Sequence, residues 1–356
     1  MSIDRPISVM VVDDSAFMRK ILSDLINSSK DLKVVATSHN GKDAIVKIPI
    51  VKPDVITLDI IMPEMDGIET LKYIMAHFPT PVIMVSSLTD DNSKETTEAL
   101  ILGAVDFVHK PSGSISLDMY KKKEQLIEKI KAAAKSNLQI YKEDLKKGKV
   151  NKVKITKNYI KNEIESIIGI GISTGGPRAL LNMIPLFPEN IGAPILISQH
   201  MPERFTKSFA ERLDEVSTIK VKEAEDGEEL KNDIVYIAKG NHHLLLKRKD
   251  NDGKYILRTP KEPETIYKPS VDLMFESIAK NFSGNIIGII MTGMGNDGSK
   301  GLVYVKEKGG YIIAQNEETC VVFGMPSSAI KEGIVDIVIP YMSIPEIVLK
   351  RLKTFN

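Results

Sequence analysis

Residues 7–15 read ISVMVVDDS, a short β-rich run closed by two aspartates and a serine. Working outward, Phe17, Ile21, Leu22, Leu25 and Ile26 recur at helical spacing, and further β-rich runs follow at 32–37, 55–58, 81–85 and 106–108. Short strands alternating with helix-period segments are the pattern of parallel βα units. A second set begins after Ser166, with SIIGIG, APILISQ, DIVYIA, NIIGIIMTG and GYIIAQ separated by helical stretches such as ALLNMI and VDLMFESIAK. Apolar runs without polar alternation suit strands covered on both faces. Between the sets, residues 141–165 hold eight lysines against four acids, which predicts a solvated linker. The expectation is therefore two α/β units: one at 5–135, a Lys-rich linker at 136–165, and a second, doubly wound and mainly parallel, at 166–353.

Composition narrows the function classes. A chain of 356 residues exceeds one ordinary domain. Lys plus Arg is 48 against 47 for Asp plus Glu, a net +1 that argues against a generic polyanion binder. Hydrophobic residues at 42% leave enough apolar surface to form cores. The lone Cys320 excludes an internal disulfide and a cysteine-built zinc site, and points to a reducing, cytoplasmic compartment. Asp4, Arg5, Asp13 and Asp14 interrupt the amino-terminal apolar stretch, so a signal peptide is not expected. No apolar run approaches the ~20 residues that cross a bilayer, so membrane insertion is not expected either.

In the first unit five strands fit the flavodoxin-like order 2-1-3-4-5, with strands 1 and 3 adjacent at the switch point. Asp13 and Asp14 then follow strand 1 and Asp59 follows strand 3, so three carboxylates converge at neighbouring carboxyl ends. Such a group repels itself unless a cation compensates, and an all-oxygen site suits Mg²⁺. Lys110 after strand 5 supplies a point charge and Ser86 after strand 4 a hydroxyl. Together they surround a would-be aspartyl phosphate on Asp59. Single strand-end aspartates are usually caps or turn formers, but the joint pattern, with Lys110-Pro111 and the turn MPEMDG, is not a set of caps. In order, VVDDS, LDIIMPEMDG, VSSLT and VHKP resemble the receiver domain of two-component response regulators. That resemblance implies that Asp59 is the phosphoacceptor, that Asp13, Asp14 and Asp59 hold Mg²⁺, and that Ser86 and Lys110 sense the phosphoryl group. The aromatic switch position falls on Phe107, where many receivers carry Tyr.

The second unit shows neither a helix-turn-helix nor a dense basic face, so a DNA-binding output is not expected. Instead GIGISTGGP places Ser173 and Thr174 in a glycine-rich turn after a strand, with Pro177 in the first helical turn. His200 ends another strand in SQHMP, and Asp297 lies in MTGMGNDG after a third. Each has a bland explanation: an anion-holding loop, a structural histidine, a turn-forming aspartate. Jointly, three triad residue types occupy three carboxyl ends of one predicted sheet, the edge where α/β sites form. Ser173 would attack an acyl carbon, His200 would carry the proton, and Asp297 would orient the imidazole, while N–H groups around Met294 complete an oxyanion hole. The chain order Ser, His, Asp differs from that of α/β-hydrolases.

GISTGGP, QHMPERFTKSFAERL, VKEAEDGE, VYIAKGNHHL, KPSVDLMFESIA, TGMGNDG and AQNEETCVVFGMPSSAI, running through 166–353, resemble the catalytic domain of the chemotaxis protein-glutamate methylesterase family. By that resemblance the triad is Ser173, His200 and Asp297, the oxyanion amide is that of Met294, and Thr174 is the second-ranked hydroxyl. Ala238-Lys239-Gly240 departs from the Ala-Pro-Gly of many members, and His243 matches a family position without a catalytic role. The implied activity is a phosphorylation-activated demethylation of glutamate γ-methyl esters on chemoreceptors, releasing methanol, with deamidation of receptor glutamines through the same acyl-enzyme. The implied partners are methyl-accepting chemoreceptors as substrate and a chemotaxis histidine kinase as phosphodonor. A monomer that binds no nucleic acid is expected, with Mg²⁺ in the receiver and no cofactor in the hydrolase.

Overall fold

The computed structural model describes residues 5–86, 93–110, 117–136, 163–249 and 254–355. The chain divides into two units, residues 1–142 and 143–356. The stretch expected as a linker falls almost wholly on 137–162, outside the described residues.

In the first unit the chain runs β1 (Ile7–Val12), α1 (Ala16–Asn27), β2 (Leu32–Ser38), α2 (Gly41–Val51), β3 (Val55–Asp59), α3 (Gly67–His77), β4 (Val82–Ser86), α4 (Ser93–Leu102), β5 (Asp106–His109) and α5 (Leu117–Ala134). Its sheet has the expected order β2-β1-β3-β4-β5, with every pair parallel. All of β1 and β3 is buried, as strands covered on both faces must be. The stripe read along α1 turns inward only at Leu22 and Ile26; Phe17, at the start of the helix, is 72% exposed. Ser15 caps α1 by accepting the Met18 N–H, and Asp66 caps α3 by accepting the Glu69 N–H. Gly67 is required where α3 meets β3: a Cβ there would lie 2.0 Å from the Asp59 carbonyl oxygen.

The second unit runs β6 (Ser166–Ile172), α6 (Gly176–Met183), β7 (Ile195–Gln199), α7 (Glu203–Val216), β8 (Lys220–Glu223), β9 (Ile234–Ile237), β10 (Leu245–Arg248), β11 (Tyr255–Arg258), α8 (Val271–Asn281), β12 (Asn285–Ile290), α9 (Ser299–Glu307), β13 (Tyr311–Gln315), α10 (Met325–Lys331), β14 (Ile337–Ile339) and α11 (Ile344–Phe355). Seven strands form one parallel sheet in the order β14-β13-β12-β6-β7-β9-β8, and β10 and β11 pair separately as an antiparallel ribbon. The five runs read from sequence are β6, β7, β9, β12 and β13. The edge strands β8 and β14 and the ribbon were not among them, because these are four residues or fewer and carry charge or exposure.

From β6 the chain moves through β7 toward one edge and later returns through β12 toward the other. The crevice at the carboxyl ends of β6 and β12 is therefore the topological switch point, where open α/β sheets bind ligands. Helix α8 anchors it, since Val271, Met274, Phe275 and Ile278 are fully buried in the core. Truncating Phe275 to alanine would cost about 3–5 kcal/mol and loosen the helix whose first turn faces that crevice.

Candidate active site

Ser173 and Thr174 follow β6, and α6 begins with Pro177 in its first turn. Thr174 is buried at 6% exposure, whereas the Ser173 hydroxyl meets the His200 imidazole, Oγ to Nδ1 at 3.1 Å. His200 follows β7, and its other nitrogen, Nε2, lies 2.8 Å from Asp297 Oδ2. The tautomer that fits carries the proton on Nε2, donates it to Asp297, and leaves Nδ1 to accept from Ser173. The three residues placed on separate strand ends by sequence are thus joined by two hydrogen bonds.

What surrounds them is more enclosed than strand ends suggest. Asp297 is buried and accepts from Val271 N–H at 2.8 Å, Asp272 N–H at 2.9 Å and Ser270 Oγ–H at 3.1 Å besides His200. Its carboxylate thus caps the amino terminus of α8, where unpaired N–H groups favour negative charge. Burial pushes the Asp297 carboxyl up, but His200 and these N–H donors together hold it below the ordinary carboxylate range. The arrangement is reciprocal: Asp272 in the first turn of α8 accepts from Gly298 and Gly301 N–H at the start of α9. Burial and the neighbouring Asp297 raise the Asp272 carboxyl.

Backbone positions are pinned as well. Gln199 Nε2 donates to the carbonyls of Ser173 at 3.0 Å and His200 at 3.1 Å. Ser173 N–H donates to Thr292 O, and Thr292 Oγ1 to Thr174 O. Gly293, the residue before Met294, packs against the serine: a Cβ on it would lie 2.7 Å from Ser173 Cβ and 2.3 Å from Met325 Sδ. Only glycine permits that approach. His243 is fully buried, with Nδ1 accepting Ser270 N–H at 3.2 Å and Nε2 donating to Pro263 O at 2.8 Å. Burial, assisted by Lys268, holds its imidazole below the ordinary 6.5 and therefore neutral. Gln199, Ser270, Tyr267 and Asp272 were not singled out in the sequence. Only Ser270 had a local signal, as a serine directly before an apolar helical run.

The arrangement is an activated hydroxyl, a base in reach of it, and a buried carboxylate orienting the base, which is equipment for acyl transfer.

In the first unit Asp13 and Asp59 are buried and Asp14 is exposed, and their ligand atoms lie within 4.8 Å of one another. Lys110 Nζ is 2.7 Å from Asp59 Oδ2 and 2.9 Å from Asp13 Oδ2. One ammonium does not balance three carboxylates. Burial pushes Asp59 up to about 6 despite Lys110, with Asp13 adding to the rise, while the two buried carboxylates keep Lys110 above its ordinary range against the effect of burial. A crowded, charge-deficient set of oxygens fits a hard divalent cation such as Mg²⁺. Asp13 Oδ1 accepts Ser15 N–H, and Arg19 donates to the carbonyls of Asp13 and Asp14, so the acidic turn is held from both sides. Phe107 is buried on β5, with Lys129 Nζ 5.2 Å from its ring. Ser86 ends β4, and its side chain lies outside the described residues.

Among the described residues, no helix is long and apolar enough to cross a membrane. A family model described as CheB methylesterase matches residues 168–348, and one described as response regulator receiver domain matches 9–119. The chain is 49% identical over 343 residues to the protein-glutamate methylesterase/protein-glutamine glutaminase of Thermotoga maritima, covering 96% of this chain and 98% of the relative. It is 42% identical over 359 residues to the protein of the same name from Caldanaerobacter subterraneus subsp. tengcongensis, covering 99% and 98%. The crystal structure of the Thermotoga maritima CheB methylesterase catalytic domain is similar at a TM-score of 0.50 and 49% identity, covering 52% of this chain and 97% of that one. With a receiver-type sheet ahead of a catalytic unit and relatives aligned along nearly its whole length, the chain belongs to the CheB methylesterase family.

Proposed function

We propose that this chain hydrolyses glutamate γ-methyl esters on chemoreceptors, releasing methanol, and deamidates receptor glutamines by the same route. The observation that carries this is the continuous hydrogen-bonded chain Ser173–His200–Asp297 at the switch point of the second sheet. Ser173 Oγ bonds to the ester carbonyl carbon while its proton passes to His200 Nδ1. The Met294 N–H stabilises the resulting oxyanion. As the tetrahedral intermediate collapses, the C–OCH₃ bond breaks and the Nδ1 proton leaves with methoxide as methanol. Water then attacks the Ser173 ester, gives its proton to His200, and releases the glutamate carboxylate as Nδ1 returns the proton to Ser173. For a glutamine the leaving group is ammonia. Asp297 stays ionised throughout, stabilising the imidazolium and its tautomer.

Control comes from the first unit. Asp59 accepts a phosphoryl group from a chemotaxis histidine kinase, and Asp13, Asp14 and Asp59 would hold Mg²⁺. The ion would supply positive charge beside a phosphoryl group on Asp59. Lys110, already on Asp59, pairs with the added charge, and Ser86 and Phe107 relay it. The buried, single Cys320 suits a cytoplasmic setting.

The test is release of labelled methanol from methylated receptor membranes by the full chain, with and without a small phosphodonor and Mg²⁺. Release that rises with the phosphodonor is expected. Labelling of Ser173 by a fluorophosphonate with no methanol released would mean a hydrolase of another substrate; no labelling would overturn the hydrolase itself.

A further inference from the structure

Two hydrogen bonds hold the ends of the His200 imidazole, at Nδ1 to Ser173 and at Nε2 to Asp297. They leave one freedom, because the ring can still tip about the line joining its two nitrogens. Tipping would swing the Nδ1 lone pair and the Nε2–H bond, both of which point off that line, away from their partners together. Among the described residues, a stacked ring on the imidazole face opposes this. Tyr267 stacks on His200 with ring centroids 4.5 Å apart and planes 10° from parallel.

Tyr267 is itself held. Thr265 Oγ1 donates to its carbonyl at 2.5 Å, and three residues later Ser270 caps α8 and donates to Asp297. At its far end the phenol reaches the oxyanion turn, since a Cβ on Gly295 would lie 3.3 Å from the Tyr267 hydroxyl oxygen. The half-buried ring therefore spans from the imidazole face to the backbone beside Met294. It also lines a cleft with Thr265, Ile266, Leu273, Asn296 and Lys300, next to Asp297. Ile266 is 93% exposed there, so the loop offers its neighbouring side chain outward while Tyr267 turns onto the histidine.

We propose that Tyr267 is a positioning residue for the hydrolysis, its ring face holding the His200 plane in which the nucleophile and the carboxylate are both in line. This rests on Ser173 and His200 acting as nucleophile and base. Stacked aromatic pairs are worth a modest amount beyond the area they bury, and a stacked face also favours the imidazolium formed during the reaction. A several-fold to roughly tenfold effect on turnover follows, carried by the ring and not by the hydroxyl.

The experiment compares Tyr267→Phe, Tyr267→Trp and Tyr267→Leu in the full chain, each checked for an unchanged melting temperature. Two rates are read: methanol release from methylated receptor membranes, resolved into kcat and KM, and covalent labelling of Ser173 by a small fluorophosphonate that carries no receptor sequence. Tyr267→Phe and Tyr267→Trp should keep at least half the wild-type kcat. Tyr267→Leu should lose roughly three- to tenfold in kcat with KM within about twofold, and labelling should slow in parallel. A Tyr267→Leu enzyme with raised KM, unchanged kcat and unchanged labelling would overturn the proposal and make the ring a substrate wall. Phenylalanine failing as badly as leucine would also overturn it, assigning the effect to the hydroxyl. If labelling follows the predicted order while wild type releases no methanol, the positioning role stands and the methylesterase assignment fails. Should Tyr267→Leu melt lower, both rates are read well below its melting temperature and the contrast is repeated with Tyr267→Met, which keeps bulk without a flat ring and should show the same loss; wild-type rates in Tyr267→Met would overturn the proposal.

Discussion

Replacing Asp297 by asparagine is the sharpest test of the proposed triad, because every bond to this carboxylate comes from a donor. Oδ2 receives His200 Nε2–H and Val271 N–H, and Oδ1 receives Asp272 N–H and Ser270 Oγ–H. An amide has one acceptor oxygen and must turn its NH₂ toward one of these pairs. With NH₂ at the Oδ2 place, Val271 N–H is orphaned and His200 is driven to the other tautomer, with its proton on Nδ1 where Ser173 needs an acceptor. With NH₂ at the Oδ1 place, Ser270 can reverse its hydroxyl and His200 keeps the useful tautomer, but Asp272 N–H is orphaned and the imidazolium loses its counter-charge. Either way one buried N–H goes unpaired, which costs about 1–3 kcal/mol. The first orientation removes activity by roughly 10⁴, as a wrong-tautomer histidine does in serine proteases; the second retains more, so the observed loss should fall between about 10² and 10⁴. Part of the stability cost is offset, because Asp272 no longer faces a neighbouring charge. Methanol release measures the first effect, and hydrogen exchange at the first turn of α8 the second. An Asp297→Asn enzyme within tenfold of wild type and with unchanged exchange protection at Val271 and Asp272 would refute both the tautomer argument and the capping argument.

Ser173→Ala and His200→Ala should each abolish methanol release, and the double variant should be no slower than either, since the residues act as a unit; appreciable turnover in Ser173→Ala would promote Thr174. Asp59→Asn should stabilise the receiver unit at neutral pH. The Asp59 carboxyl rises from 3.8 to about 6 on folding, so the folded state binds more protons between those values and stability falls as pH rises through that window. A shift of that size corresponds to an upper figure of about 3 kcal/mol, and calorimetry across pH 4–7 without Mg²⁺ should show the wild-type decline and its loss in the variant. His243 behaves oppositely: its neutral form is favoured on folding by burial and Lys268, against Pro263 O, Asp297 and Glu264. Below its ordinary 6.5 the unfolded chain takes up the proton first, so stability falls as pH drops. His243→Asn, which can still accept Ser270 N–H, should flatten that fall, and an unchanged slope would refute it.

The strands of the receiver sheet were legible because each is a short aliphatic run between helix-period segments, and parallel burial leaves no polar alternation to confuse them. The same held for β6, β7, β9, β12 and β13. It failed for β8, where Lys220 and Lys222 flank a single fully buried Val221, because an edge strand needs only one inward side chain and keeps its charges outside. At the candidate site, sequence could bring together the three residues proposed as the triad, since sheet topology alone sends strand ends to one edge. It could not find what holds them. Gln199 bonds two carbonyls through its side chain, Ser270 reaches a carboxylate 27 residues away, and Tyr267 lies flat on a ring 67 positions before it. Nothing in spacing encodes these contacts, and that of Ser270 depends on α8 docking its first turn against the loop after β12. Nor did strand-end placement foretell burial. A residue at a strand's carboxyl end is exposed only until a helix terminus covers it, and here α8 covers Asp297 with its own N–H groups. That covering makes the carboxylate a better orienting group and a more fragile one. Its charge is held by the helix as well as by the histidine, so a change that uncaps α8 should disturb proton transfer at Ser173 without touching any member of the triad.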